Sequence, residues 1–84
     1  MRIYFDYSRL RERIKKLGYS VPRLADAVGM GAWALGQKLR GYYDFKSTEI
    51  ITLAEVLGIT LSQIPTYFFQ QKVRKSKNLI EVAE

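Results

Sequence analysis

The sequence contains no cysteine and no histidine, and only two prolines in 84 residues. Without cysteine there is no thiolate nucleophile, disulfide frame, iron–sulfur cluster or zinc finger; without histidine, imidazole acid–base work and nearly all zinc catalysis go too. These absences disfavour an enzyme and leave no metal set or cofactor in view. Long apolar runs are missing as well. Nowhere do roughly eighteen apolar residues follow one another, and Met1-Arg2-Ile3-Tyr4-Phe5-Asp6 has no hydrophobic stretch of signal-peptide length. The expectation is a soluble, cytoplasmic protein with no membrane partner and no small-molecule ligand.

What is present is enough for one folded domain. Hydrophobic residues make up 48% of the chain and aromatics 13%, above the level at which a charged chain stays disordered, while the length allows a single core. The net charge of +6 is unevenly spread: residues 1–46 carry ten basic and four acidic side chains, residues 47–71 only Glu49 and Glu55. A basic half favours an anionic partner, nucleic acid or an acidic membrane surface. The plainer alternative is that Arg9, Arg11, Arg13, Lys15 and Lys16 solvate one exposed helix face.

Hydrophobic spacing divides the chain into short helices. Tyr7, Leu10, Ile14 and Leu17 share one face of a first helix from about Asp6 to Leu17, with Asp6 as a cap and Gly18 as a stop. Ser20 caps a second helix at about 21–28, which tolerates Pro22 in its first turn and ends at Gly29. A third, Ala32 to Arg40, sets Leu35 and Leu39 on one side and Trp33, Gly36, Gln37 and Arg40 on the other, before Gly41 and a loop through Tyr42-Tyr43-Asp44-Phe45-Lys46. A fourth starts at Ser47 and stops at Gly58. A fifth begins at Leu61, where Thr60-Leu61-Ser62-Gln63 has the capping-box pattern between Ile59 and Ile64. Whether Pro65 ends that helix or sits in its first turn stays open. Residues 75–84 read as a flexible tail. Ile3-Tyr4-Phe5 and Phe68–Val73 are extended enough to pair as strands, within one chain or across a dimer.

Glycine-rich phosphate loops do not fit this pattern. Gly29-Met30-Gly31 follows a helical run instead of a strand, and Gln37 stands where a Walker-type loop needs lysine. The stretch from Ser20 to Gly41 is more specific. Leu24 and Val28 face inward, Ala25 is small where two helices touch, Gly29 supplies a turn with positive φ, Met30 plugs inward and Leu35 anchors the next helix. That set meets the steric needs of a helix-turn-helix.

On these residues Leu10 to Ile64 resembles the five-helix DNA-binding domain of the lambda-repressor/Cro (Xre-like) family. The likeness rests on Leu10, Ile14 and Leu17, on Ser20 through Leu24-Ala25 to Gly29, on Gly41, and on Leu53-Ala54 through Leu57-Gly58-Ile59. Phe5-Asp6-Tyr7-Ser8 and Ile64-Pro65 with Tyr67-Phe68-Phe69 further resemble short phage and prophage regulators of Gram-positive bacteria. Two departures stand out. Gly31 replaces the usual Ser or Thr cap, and Ile14 and Leu39 occupy positions where many members have an Arg–Glu pair, so an apolar contact is expected in its place.

The resemblance implies an all-α fold, a compact four- to five-helix domain over residues 1–74 with the motif at about 20–41 and a short C-terminal extension. It implies sequence-specific binding of double-stranded DNA by a Cro-like repressor or autoregulator, with the third helix in the major groove. Base readout would fall to Ala32, Trp33, Gly36 and Gln37, the Gln37 amide being suited to adenine. Phosphate contacts would come from Ser20, Val21, Arg23, Lys38, Arg40, Tyr42, Tyr43 and Lys46. A homodimer on a pseudo-palindromic operator is expected, its surface built from Ile64, Tyr67, Phe68, Phe69 and Val73, although these aromatics could instead close the monomer core. A second function class uses the same scaffold as a protein-interaction module, an anti-repressor or phage inhibitor of a host complex, with Trp33, Gly36, Tyr42 and Tyr43 as its contact surface.

Overall fold

In the computed structural model, residues 4–71 are described; Val73 and the expected tail at 75–84 lie outside them. Five helices succeed one another: α1 (Ser8–Lys16), α2 (Val21–Val28), α3 (Ala32–Leu39), α4 (Ser47–Leu57) and α5 (Ile64–Phe68), the last entered through a 3₁₀ turn at Leu61–Gln63. The all-α expectation holds for these residues.

Local chemistry sets the helix limits. Asp6 Oδ1 accepts the Ser8 N–H at 2.9 Å, so Asp6 serves the start of α1 as expected, two residues ahead of the helix itself. Ser20 Oγ accepts the Arg23 N–H at 3.3 Å and Pro22 occupies the first turn of α2, where its missing N–H costs nothing. The α2–α3 connection is three residues long. At its start Gly29 takes φ +75°, Met30 N–H donates to Ala25 O at 2.9 Å and Gly29 N–H to Asp26 O, the paired bonds of a left-handed helix stop. The same pair of bonds recurs after α1, α3 and α4. At Thr60, Gln63 Oε1 accepts the Thr60 N–H at 3.0 Å, and the Thr60 hydroxyl lies 3.1 Å from Ser62 Oγ. Pro65 sits in the first turn of α5, which continues to Phe68.

The core is formed from every helix. Leu10, Leu24, Leu35, Leu53, Leu57 and Phe68 are fully buried, joined by Tyr7, Ile14, Leu39, Ile50, Ile59 and Ile64, with Val28, Met30 and Phe45 packed partly against them. Each such aliphatic side chain contributes about 1.5–3 kcal/mol on leaving water. Ile14 and Leu39 are both buried, consistent with an apolar contact in place of an ion pair. Among the described residues no polar or charged residue is buried.

Two expectations change here. Leu17, expected on the inner face of α1, is 44% exposed, because the helix ends at Lys16 and Gly18 turns the chain away; the partly buried Tyr19 follows. Among the described residues the two extended segments pair within one chain, through an antiparallel bridge between Phe5 and Gln71 beside the Asp6 N–H to Gln70 O bond of 2.6 Å. Around that junction aromatic rings meet edge to face: Phe69 on Phe5, and Tyr7 on Phe45, which in turn meets Phe68. This series ties the N-terminal segment, the α3–α4 loop and α5 together.

Candidate interaction face on the third helix

Because α3 turns Leu35 and Leu39 into the core, its opposite side faces out. Trp33 is 70% exposed, and its ring lies 6.2 Å from that of Tyr43, which the Gly41 turn carries back over the helix. Beside them runs a groove of about 600 Å³ between α3, the second half of α1 and the start of α2. Ala32, Trp33, Gly36, Gln37 and Arg40 form one wall; Arg11, Ile14, Lys15, Tyr19, Val21 and Pro22 form the other, with Leu39 between. The groove thus gathers all four expected base-reading residues together with Val21 and Arg40. Gly36 leaves it open, since a Cβ built there would meet nothing within 4 Å.

The remaining expected contact residues are distributed differently. Arg23, Tyr42 and Lys46 are exposed. The Ser20 hydroxyl is occupied in capping α2. Lys38 is committed inside the fold: its ammonium bonds both Glu49 oxygens, at 2.7 and 2.8 Å, with both side chains largely covered. Glu49 also accepts the Lys46 N–H at 2.8 Å, so one carboxylate fastens α3 to the first turn of α4. Burial pushes Glu49 upward, but the bonds from Lys38 and the Lys46 backbone and the charges of both lysines outweigh it and hold the carboxyl below its ordinary value.

Arg9, Arg11, Lys15 and Lys16 are exposed, as the solvated-face alternative expects, while Arg11 and the partly buried Arg13 also bond to other helices. Arg11 Nη1 donates to Leu39 O at 2.9 Å and Arg13 Nε to Leu57 O at 2.9 Å, so two arginines of one helix cap the C-termini of two others. A cation there meets unsatisfied carbonyls and the negative end of the helix dipole. Arg11 and Lys15, one turn apart, also place positive charge along the groove wall. Periodicity alone sets that pair on one face of α1; nothing local shows that this face lies opposite α3.

The proposed dimer surface is corrected in part. Phe68 is 1% exposed and Ile64 is buried, so both serve the monomer core, where their apolar area is already used. Tyr67 is half-buried, and Phe69 is 48% exposed while touching Phe5. Among the described residues no group of three or more carboxylates could hold a metal ion. No single helix there is long and apolar enough to cross a membrane.

Comparison with known proteins places this arrangement. A family model described as "Protein of unknown function (DUF739)" matches residues 3–71. The chain belongs to the DUF739 family. Its fold is similar to the solution structure of the modulator of repression of the temperate bacteriophage TP901-1 from Lactococcus lactis. The TM-score is 0.68 at 31% sequence identity, over 84% of this chain and 96% of that one. No curated protein matches. The DUF739 chain therefore shares its fold and ancestry with a small phage regulator, which agrees with the phage-regulator resemblance read from its sequence.

Proposed function

We propose that this DUF739 chain modulates phage repression by docking a protein partner on the outer face of α3, as an anti-repressor does. The observation that carries the reading is Trp33, 70% exposed in the first turn of α3, set against Tyr43 above a groove with an apolar floor. An exposed tryptophan and tyrosines around a pocket are the composition of a protein-interface hot spot. The relative's role as a modulator of repression supports the same class of function. Base readout is less well provided for. Of the four residues expected at base edges, Ala32 and Gly36 bring no hydrogen-bonding side chain and Trp33 brings one donor, which leaves Gln37 with Arg40 beside it.

The second reading, a Cro-like repressor that binds an operator as a homodimer, is supported by Gln37 on α3 and Arg40 just past its end, with Arg23 and Lys46 exposed. Lys38 is withdrawn from it by its bonds to Glu49. Two measurements separate the readings. A reporter driven by the phage promoter region beside this chain's own gene should change repression with wild-type protein, lose the response with Trp33→Ala and keep it with Gln37→Ala. Selection from a random duplex library should enrich no inverted repeat. An enriched repeat whose bases relax with Gln37→Ala would replace docking by operator binding.

A further inference from the structure

The groove beside α3 also specifies the chemistry of what fills it. Resting on the docking reading above, we infer that its occupant is an amphipathic helical segment of a protein partner, with apolar side chains in the groove and carboxylates along its edges. Among the described residues three cations, Arg11, Lys15 and Arg40, line the groove, and no carboxylate does. Its interior is apolar: Ile14 and Leu39 close the floor, and Trp33 stands along one wall. The volume of about 600 Å³ lies in the range of sites that enclose side chains or small ligands, and Gly36 keeps it open along α3. A groove between helices with an apolar bed suits an apolar helix stripe, read at three- and four-residue spacing. The ring of one charge sign selects the opposite sign on the helix flanks.

A nucleic acid duplex satisfies only half of this description. Its phosphates would pair with Arg11, Lys15 and Arg40, but they would leave the apolar floor facing water or charge. An acidic amphipathic helix satisfies both halves. Arg11 is held in place by its bond to Leu39 O, so the cation that closes α3 also fixes positive charge at the groove.

Trp33 is the single tryptophan of the chain, which makes its fluorescence a direct reporter of the groove. The full-length protein is titrated at low salt with four probes: a helical peptide of leucine and glutamate in the three- and four-residue pattern, its leucine–lysine and serine–glutamate counterparts, and a random-sequence DNA duplex. The leucine–glutamate peptide is expected to shift Trp33 emission to the blue and to saturate. Each of the other three should bind at least about tenfold more weakly, and higher salt should weaken the first complex as screening grows. Gly36→Leu, which puts a side chain into the groove, should abolish the shift while circular dichroism is unchanged. The double variant Lys15→Glu/Arg40→Glu should exchange the preference, taking the leucine–lysine peptide in place of the leucine–glutamate one.

Equal binding of the serine–glutamate peptide or of the duplex would overturn the inference and leave a plain anion surface, as would no saturable shift with the first peptide. If Trp33→Ala abolishes the reporter response while no peptide occupies the groove, docking stands and the acidic-helix assignment falls. If the leucine–glutamate peptide binds as described and Trp33→Ala leaves the reporter unchanged, the groove chemistry stands and the docking function falls.

Discussion

The inner and outer faces of α3 are built from the same eight residues under opposite rules. Leu35 and Leu39 are buried and contribute to the core, whereas Trp33, a larger apolar group two residues before Leu35, stands 70% exposed. A small protein that leaves its only tryptophan outside gives up one of the larger burial gains open to it. The contrast teaches that the outer face is not spare surface awaiting polar substitution. It is held exposed by a helix whose register is fixed from within.

Substitution separates the two faces most sharply in stability. Leu35→Ala should cost about 2–5 kcal/mol, through lost burial and the cavity left behind, and lower the thermal midpoint by about 8 °C or more on the scale of roughly 4–8 °C per kcal/mol for a domain of this size. Trp33→Ala, on the opposite face of the same helix, should change stability by no more than about 0.5 kcal/mol. Calorimetry of the two variants side by side checks the contrast; equal losses would mean that Trp33 belongs to the core.

The next effect concerns the clamps that hold α3. Arg11→Met keeps the apolar stem but removes the bond to Leu39 O, and about 1–2 kcal/mol should be lost. Amide exchange should quicken first in the last turn of α3. Glu49→Gln breaks the bond to Lys38 and weakens the start of α4, at a cost of about 1 kcal/mol. Since the folded chain holds Glu49 below its ordinary value near 4.5, its contribution is full above that value and fades as the pH falls through the lower folded one. Denaturant midpoints measured from pH 6 down to pH 3 should therefore converge for wild type and Glu49→Gln. Tyr7 acts at the other end: burial first, then the charge of Asp44, raise its hydroxyl, so stability should fall as the pH climbs above 10.

The smallest effect should run the other way. Gly36→Ala places a methyl group where nothing lies within 4 Å and removes a flexible residue from a helix interior, so stability should rise by about 0.5–1 kcal/mol. A thermal melt checks it. A gain here with weaker docking would show that the outer face trades stability for open space.

Much of the fold was legible in the sequence. Apolar spacing and the four positive-φ glycines gave helix limits close to those found, and Leu24, Ala25 and Met30 took their expected places around the α2–α3 turn. The site was legible in part, because Trp33, Gly36, Gln37 and Arg40 share a face by helical geometry alone. What escaped the sequence reading was the opposite wall. Arg11, Lys15 and Tyr19 belong to the groove through packing, and no local pattern marks them as partners of α3. Phe68 and Phe69 show the same limit: adjacent and alike in chemistry, one is buried and the other half out.

The sequence by itself determined where each helix begins and stops and which side of it turns inward, since those depend on backbone geometry and side-chain spacing over a few residues. Only the tertiary structure decided which charges remain available to a partner. Arg13 reaches a carbonyl 44 residues away and Lys38 is absorbed by Glu49 on the next helix, while Arg11, bonded to a carbonyl 28 residues away, still lines the groove. A formal charge is fixed by composition, but its use depends on which carbonyl or carboxylate the folded chain brings within about 3 Å.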